Sequence, residues 1–172
     1  MSFIAQVTIS IVIYFIIRFF YQKEKSLYSA GYIAAFSYVL IYLATYEIIS
    51  IMPTIHFMVT GLSLLFIFIA YNEIIILERK VRKVKKGELI NIEPFSVERN
   101  YKIVFKLLGI GLIFLSLALV SGFTLQTIFT ANLLFKAIFT FIAWIIFLIT
   151  FIGVQYANFP IKYATRSLFV SM

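Results

Sequence analysis

The sequence predicts an all-α integral membrane protein, a bundle of about five transmembrane helices, and three observations lead there. Of the 172 residues, 63% are hydrophobic and 13% charged, with a mean hydropathy of +1.04, whereas a soluble domain is roughly half apolar. Five runs reach the length of about 20 apolar residues needed to cross a bilayer: residues 3–21, 30–52, 55–77, 107–129 and 137–157. These runs are apolar at successive positions rather than at every second one, which excludes β-barrel patterning.

The first run begins almost at Met1, has no basic residue before it and shows no small-residue cleavage site. It therefore reads as a retained helix rather than a signal peptide. Pro53 separates the second run from the third. Residues 78–102, "ERKVRKVKKGELINIEPFSVERNYK", form the one sizeable polar loop. Its first half keeps helical propensity up to Gly87 and continues the third helix, while Pro94 and Ser96 open the fourth, with Glu98 placed to suit that helix dipole. The fourth run carries Gly109, Gly111, Ala118, Ser121 and Gly122. Ala118 and Gly122 stand four apart, a small-xxx-small arrangement that permits close helix approach within the chain or across a dimer seam. With no internal repeat and no low-complexity linker, residues 1–172 read as a single membrane domain.

Basic residues set the expected orientation. Arg18, Lys23 and Lys25 lie at the first connection, the cluster from Arg79 to Lys106 at the third, and Lys162 and Arg166 after the fifth helix. Only Lys136 falls on the other face. The expected topology has the N-terminus outside and the basic loop and C-terminus cytoplasmic. The basic cluster reads first as topogenic charge. Its functional reading is attraction to anionic membrane lipid or an acidic partner. Nucleic acid is not expected as a partner, because no aromatic-bearing soluble domain accompanies the charge.

Ionisable groups inside spanning segments are costly and need partners. Glu73, on the third helix about a turn from Glu78 and Arg79, is expected to reach the cytoplasmic interface or to pair with a basic residue of the loop. Glu47 lies five residues before Met52, about 7–8 Å below the expected outer end of helix two. His56, the single histidine, opens helix three at a similar depth. A Glu47–His56 contact would orient the imidazole for metal ligation or tune it for proton work. The alternative is an interfacial histidine wetted by headgroups, with Glu47 bonded to Tyr42, Tyr46 or Ser50. The absence of cysteine excludes thiol chemistry and Cys-rich metal sites. With one histidine, no aspartate and no glycine-rich phosphate loop, the common metal, triad and nucleotide motifs are missing. Catalysis is not expected without a borrowed cofactor.

The second half of the chain resembles a known family. In order come "ERKVRKVKK", then "EPFSVERNYKIVFKLLGIGLIFLSLALVSGF", then "KAIFTFIAWIIFLI". This order, over about residues 54–160, is similar to that of the cytochrome c assembly membrane proteins, the CcsA/HemX-like family and its YpjD-type branch. The matching features are Pro94, Ser96, Glu98 and Arg99 at one helix start, Ser121 and Gly122 at that helix's end, and Lys136, Ala137, Thr140, Ala143 and Trp144 on the next. The resemblance implies a bacterial inner (plasma) membrane protein that handles haem or assists cytochrome c maturation. It places His56 where haem-handling members carry a candidate axial ligand. Those members pair histidines. Here the second position would fall to Met52, to Met58, or to His56 of a second copy, with Glu47 as orienter. Haem or haem-handling proteins, a homo-oligomer or a larger membrane complex are the implied partners. A non-catalytic accessory subunit that binds a partner complex through helix faces and the basic loop is the alternative, and a small transporter component a third reading.

Overall fold

In the computed structural model, the described residues are 2–20, 26–45, 51–87, 94–125, 131–156 and 166. They form five α-helices: α1 (Phe3–Phe20), α2 (Ser26–Thr45), α3 (Ile51–Lys85), α4 (Pro94–Leu125) and α5 (Ala131–Tyr156). No strand occurs among the described residues. Four stretches are long and apolar enough to cross a membrane: Phe3–Phe20, Ile51–Lys85, Tyr101–Leu125 and Leu134–Gly153. The Ser29–Thr45 stretch of α2 is an apolar helix just under that length. The architecture is that of a multi-pass helical membrane protein.

Helix ends follow local chemistry. α3 starts at Ile51 and takes Met52 and Pro53 into its first turn, so residues 51 and 52, expected at the end of helix two, belong to helix three. Proline fits there because first-turn N–H groups have no intrahelical acceptor to lose. At 35 residues, α3 extends roughly 52 Å, well beyond a hydrocarbon core of about 30 Å. Its basic end therefore stands clear of the apolar layer, as the continuation up to Gly87 requires. Gly87 closes the helix with a φ of 73°, and its N–H donates to the Val84 carbonyl at 3.0 Å. A left-handed residue at this position is most cheaply a glycine. α4 begins at Pro94, as expected.

Pairings across the bundle define its order. Gln6 meets Thr45, while Phe3 packs on Phe57 and Arg18 reaches Glu73. α1 therefore runs antiparallel to α2 and parallel to α3. His56 against Ser121 and Ser63 against Gly111 make α3 and α4 antiparallel, and this pair forms the most extensive helix contact. α5 packs on the far side of α4 through Trp144–Ser116 and Phe151–Gly109. Arg18, the basic end of α3, Lys102 and Lys106 thus share one end of the bundle. His56 and Lys136 lie at the other.

The small residues of α4 are used within the chain. A methyl group on Gly111 would stand 2.9 Å from Ile67 Cγ1 and 3.2 Å from the Ile67 backbone nitrogen, so Gly111 sets the closest approach of α4 to α3. Leu65, Ile69, Leu107 and Leu108 are fully buried around this seam. On the α5 side, the Trp144 indole N–H donates to Ser116 Oγ at 2.8 Å. Trp144→Phe removes that cross-helix bond and leaves most of the ring contact. Its expected cost is about 0.6–1 kcal/mol, read as a lowered midpoint in thermal unfolding of the detergent-solubilised protein.

Candidate functional site

Two polar constellations interrupt the apolar interior, one at each end of the bundle. At the first, His56 lies one turn into α3, half-buried, with its Nδ1 2.9 Å from Ser121 Oγ on α4. Gly122 makes this contact possible, because a methyl group there would sit 3.2 Å from His56 Cε1. The Nδ1–Cε1 edge of the ring therefore rests on α4.

The direction of this hydrogen bond depends on the imidazole tautomer and on where the one serine proton goes. Ser121 Oγ also lies 3.1 Å from the Ala118 carbonyl; with its proton on that carbonyl, it acts as acceptor toward the imidazole. In that arrangement His56 carries its proton on Nδ1, and the lone pair is left on Nε2. No described residue hydrogen-bonds Nε2. A histidine whose Nδ1–H is held by a protein acceptor, with Nε2 basic, is the usual arrangement of a metal-ligating imidazole.

The other predicted site residues divide. Met52 stands one turn before His56 and is 56% exposed. Residues four apart share a helix face, so Met52 lies on the His56 side. Met58, two residues on, falls on the opposite side of the helix and packs against the core. Glu47 lies outside the described residues. Among the described residues, no three His, Cys, Asp or Glu side chains gather in a way that could hold a metal ion.

The His56 end also holds a group that sequence reading missed. Gln6 is 1% exposed, and its Nε2 donates to Thr45 Oγ1 at 2.6 Å. Thr45 in turn donates to the Ile41 carbonyl at 2.7 Å. Gln6 Oε1 is buried without a hydrogen-bond partner among the described residues.

The second constellation lies at the basic end. Glu73 is only 4% exposed, far from the wetted or loop-paired position expected of it. Its partners come from α1: Arg18 Nε donates to Oε1 at 2.9 Å and Arg18 Nη2 to Oε2 at 3.4 Å. The Tyr14 hydroxyl also donates to Oε1. Tyr14 is itself 1% exposed. One carboxylate thus receives a guanidinium fork and a phenol, the kind of multiple charge-assisted bonding that a buried ion pair needs. The correction has a simple reason. α1 and α3 are parallel neighbours, so the last turn of α1 reaches the depth of Glu73, whereas the loop residues stand farther along the α3 axis. The available signal was the shared depth of Arg18 and Glu73 near the same face. Adjacency of their helices was the missing part.

Comparison of the chain with protein-family models, curated proteins and solved structures finds no match.

Proposed function

We propose that this chain is a membrane protein of the cytochrome c assembly type, which binds or passes haem at the His56 end of the bundle. The observation carrying this reading is the Ser121–His56 contact, which occupies Nδ1 and would leave Nε2 to ligate. It gains support from two features of the family resemblance, the histidine heading one helix and the Ser-Gly step ending the next, being in contact although 65 residues apart. His56 would hold the iron, with Met52 or the His56 of a second copy as a further ligand, since Met/His and His ligation both occur in haem proteins. Haem, when bound, supplies the redox-active iron. The chain's own residues orient the imidazole and shield it on the α4 side. In this proposal the protein lies in the bacterial inner membrane with the His56 end outside and the basic end cytoplasmic.

Titrating the detergent-purified chain with haem tests it. A Soret band with saturable binding is the expected result. His56→Ala should abolish it, and Ser121→Ala should weaken affinity about 10- to 100-fold, the usual effect of losing a residue that orients a metal ligand. An unchanged spectrum in His56→Ala would sink the proposal. A second reading, an accessory subunit of a membrane complex, is favoured by the outward apolar surface of α5, where Phe135, Phe139 and Ile149 are 60%, 71% and 58% exposed. Under it, charge-neutralising changes at Lys80, Arg82, Lys83, Lys85 and Lys86 disturb recovery of the complex more than His56→Ala does.

A further inference from the structure

Between α1 and α3, toward the basic end, runs an open groove of about 710 Å³ lined by Val12, Phe15, Ile16, Phe19, Phe20 and Ile76, with Arg18 and Lys80 also on its wall. Its volume falls in the range of roughly 300–1,000 Å³ typical of small-ligand sites. Six of the eight lining side chains are apolar and the other two are cationic. The apolar wall on α1 extends from Val12 to Phe20, about 12 Å along the helix axis. Phe19 and Phe20 are 73% and 74% exposed at its mouth.

The charge is placed with the same polarity as the apolar wall. Arg18 sits in the last turn of α1, and its fork is directed at Glu73, so that pair is close to neutral. Lys80 stands seven residues beyond Glu73, about 10 Å farther toward the basic end. No described residue pairs with Lys80, and it gives the groove a net positive charge. Apolar along its length and cationic at one end, the groove has the chemical profile of an amphiphile with a negative head. Basic pockets between transmembrane helices take anionic lipid headgroups in this way.

We propose that the α1–α3 groove is a binding site for one anionic phospholipid, with the phosphate at Lys80 and an acyl chain along Val12, Phe15, Ile16 and Ile76. Charge complementarity commits the groove to this occupant. A zwitterionic lipid would bring its own cation to Lys80, and a second copy of this chain would face the same positive charge.

Native mass spectrometry of the full chain released from mixed micelles tests the site, using phosphatidylglycerol and phosphatidylcholine with identical acyl chains. The expected result is preferential retention of one phosphatidylglycerol. Lys80→Gln should lower that retention about fivefold, the equivalent of about 1 kcal/mol per basic residue near a charged head. Lys83→Gln, which lies outside the groove, should leave retention within about twofold. Ile16→Trp, at a half-exposed wall position, should expel the acyl chain without unfolding the bundle. Equal retention of the two lipids overturns the proposal, as do equal losses in Lys80→Gln and Lys83→Gln, which would indicate diffuse basic attraction. Displacement of the lipid by soluble glycerol phosphate would show a headgroup-only site, and a lipid-free dimer would show that a second copy covers the groove. Arg18 is not a suitable probe because its removal strands Glu73.

Discussion

Arg18→Met destabilises the bundle by about 3–5 kcal/mol, because breaking a buried ion pair from one side leaves the other charge uncompensated. Which partner is removed decides the size. The Glu73 side chain is 5% exposed and that of Arg18 is 17%, so a stranded Glu73 has no route to water, whereas a stranded Arg18 can extend its long side chain toward the basic end. Glu73→Gln keeps the shape, removes the charge and retains an acceptor for Tyr14 and Arg18. Its expected cost is smaller, about 1–2 kcal/mol. The double variant Arg18→Met/Glu73→Gln should recover at least half of the Arg18→Met loss, since it buries two neutral groups instead of one orphan charge. Thermal unfolding in mild detergent reads this as a drop of about 6–20 °C for Arg18→Met. A loss in the double variant equal to the sum of the singles would show that Glu73 and Arg18 act independently.

Gly61→Ala lowers stability by about 2–3 kcal/mol, against the gain of up to about 1 kcal/mol that alanine brings to an isolated helix. The sign is set by Tyr38 on α2. Its phenol lies across α3 above Gly61, so that an added methyl group would overlap the hydroxyl and the ring carbon bearing it. Tyr38 is 0% exposed and donates to the Phe57 carbonyl at 3.2 Å, so it can neither retreat nor turn without losing that bond. The α2–α3 seam must open instead. Gly31→Ala is the internal control, because its methyl group would meet only Leu107 Cδ2 at an ordinary 3.5 Å. There the helix preference prevails and stability should rise slightly. Denaturant midpoints of the two variants therefore move in opposite directions, and a stabilised Gly61→Ala would show that the Tyr38 packing is wrong.

The candidate site was only half legible before the fold was known. His56 stood out as the single histidine at a helix start, and Ser121–Gly122 stood out as a small polar step. Helices adjacent in sequence are the first assumed neighbours, which suggests Glu47 for His56, and Glu47 lies outside the described residues. The described partner is Ser121 on α4, a contact that depends on the rotation of α3 about its own axis. Rotation is hard to read in a helix that is apolar on nearly every side, since the polar stripe that marks a soluble helix face is absent. Met52 and Met58 were both candidates for the same reason, and helix geometry separates them onto different sides.

Local chemistry did settle the chain's class. Apolar length makes helices because a backbone in hydrocarbon must satisfy its hydrogen bonds within the segment, and the turn signals at Gly87 and Pro94 act on their own residues. Those features are additive along the chain, so a helical membrane bundle and the helix ends near Phe3, Phe20, Lys85, Pro94 and Tyr156 were legible in the residues themselves, whereas the ends near Ser26, Thr45, Ile51, Leu125 and Ala131 fell four to seven residues from the apolar boundaries. Which buried polar groups meet was decided by tertiary structure alone. Arg18 finds Glu73 across 55 residues and His56 finds Ser121 across 65, because helix order and rotation bring single side chains within 3 Å, and neither quantity is a property of any one segment.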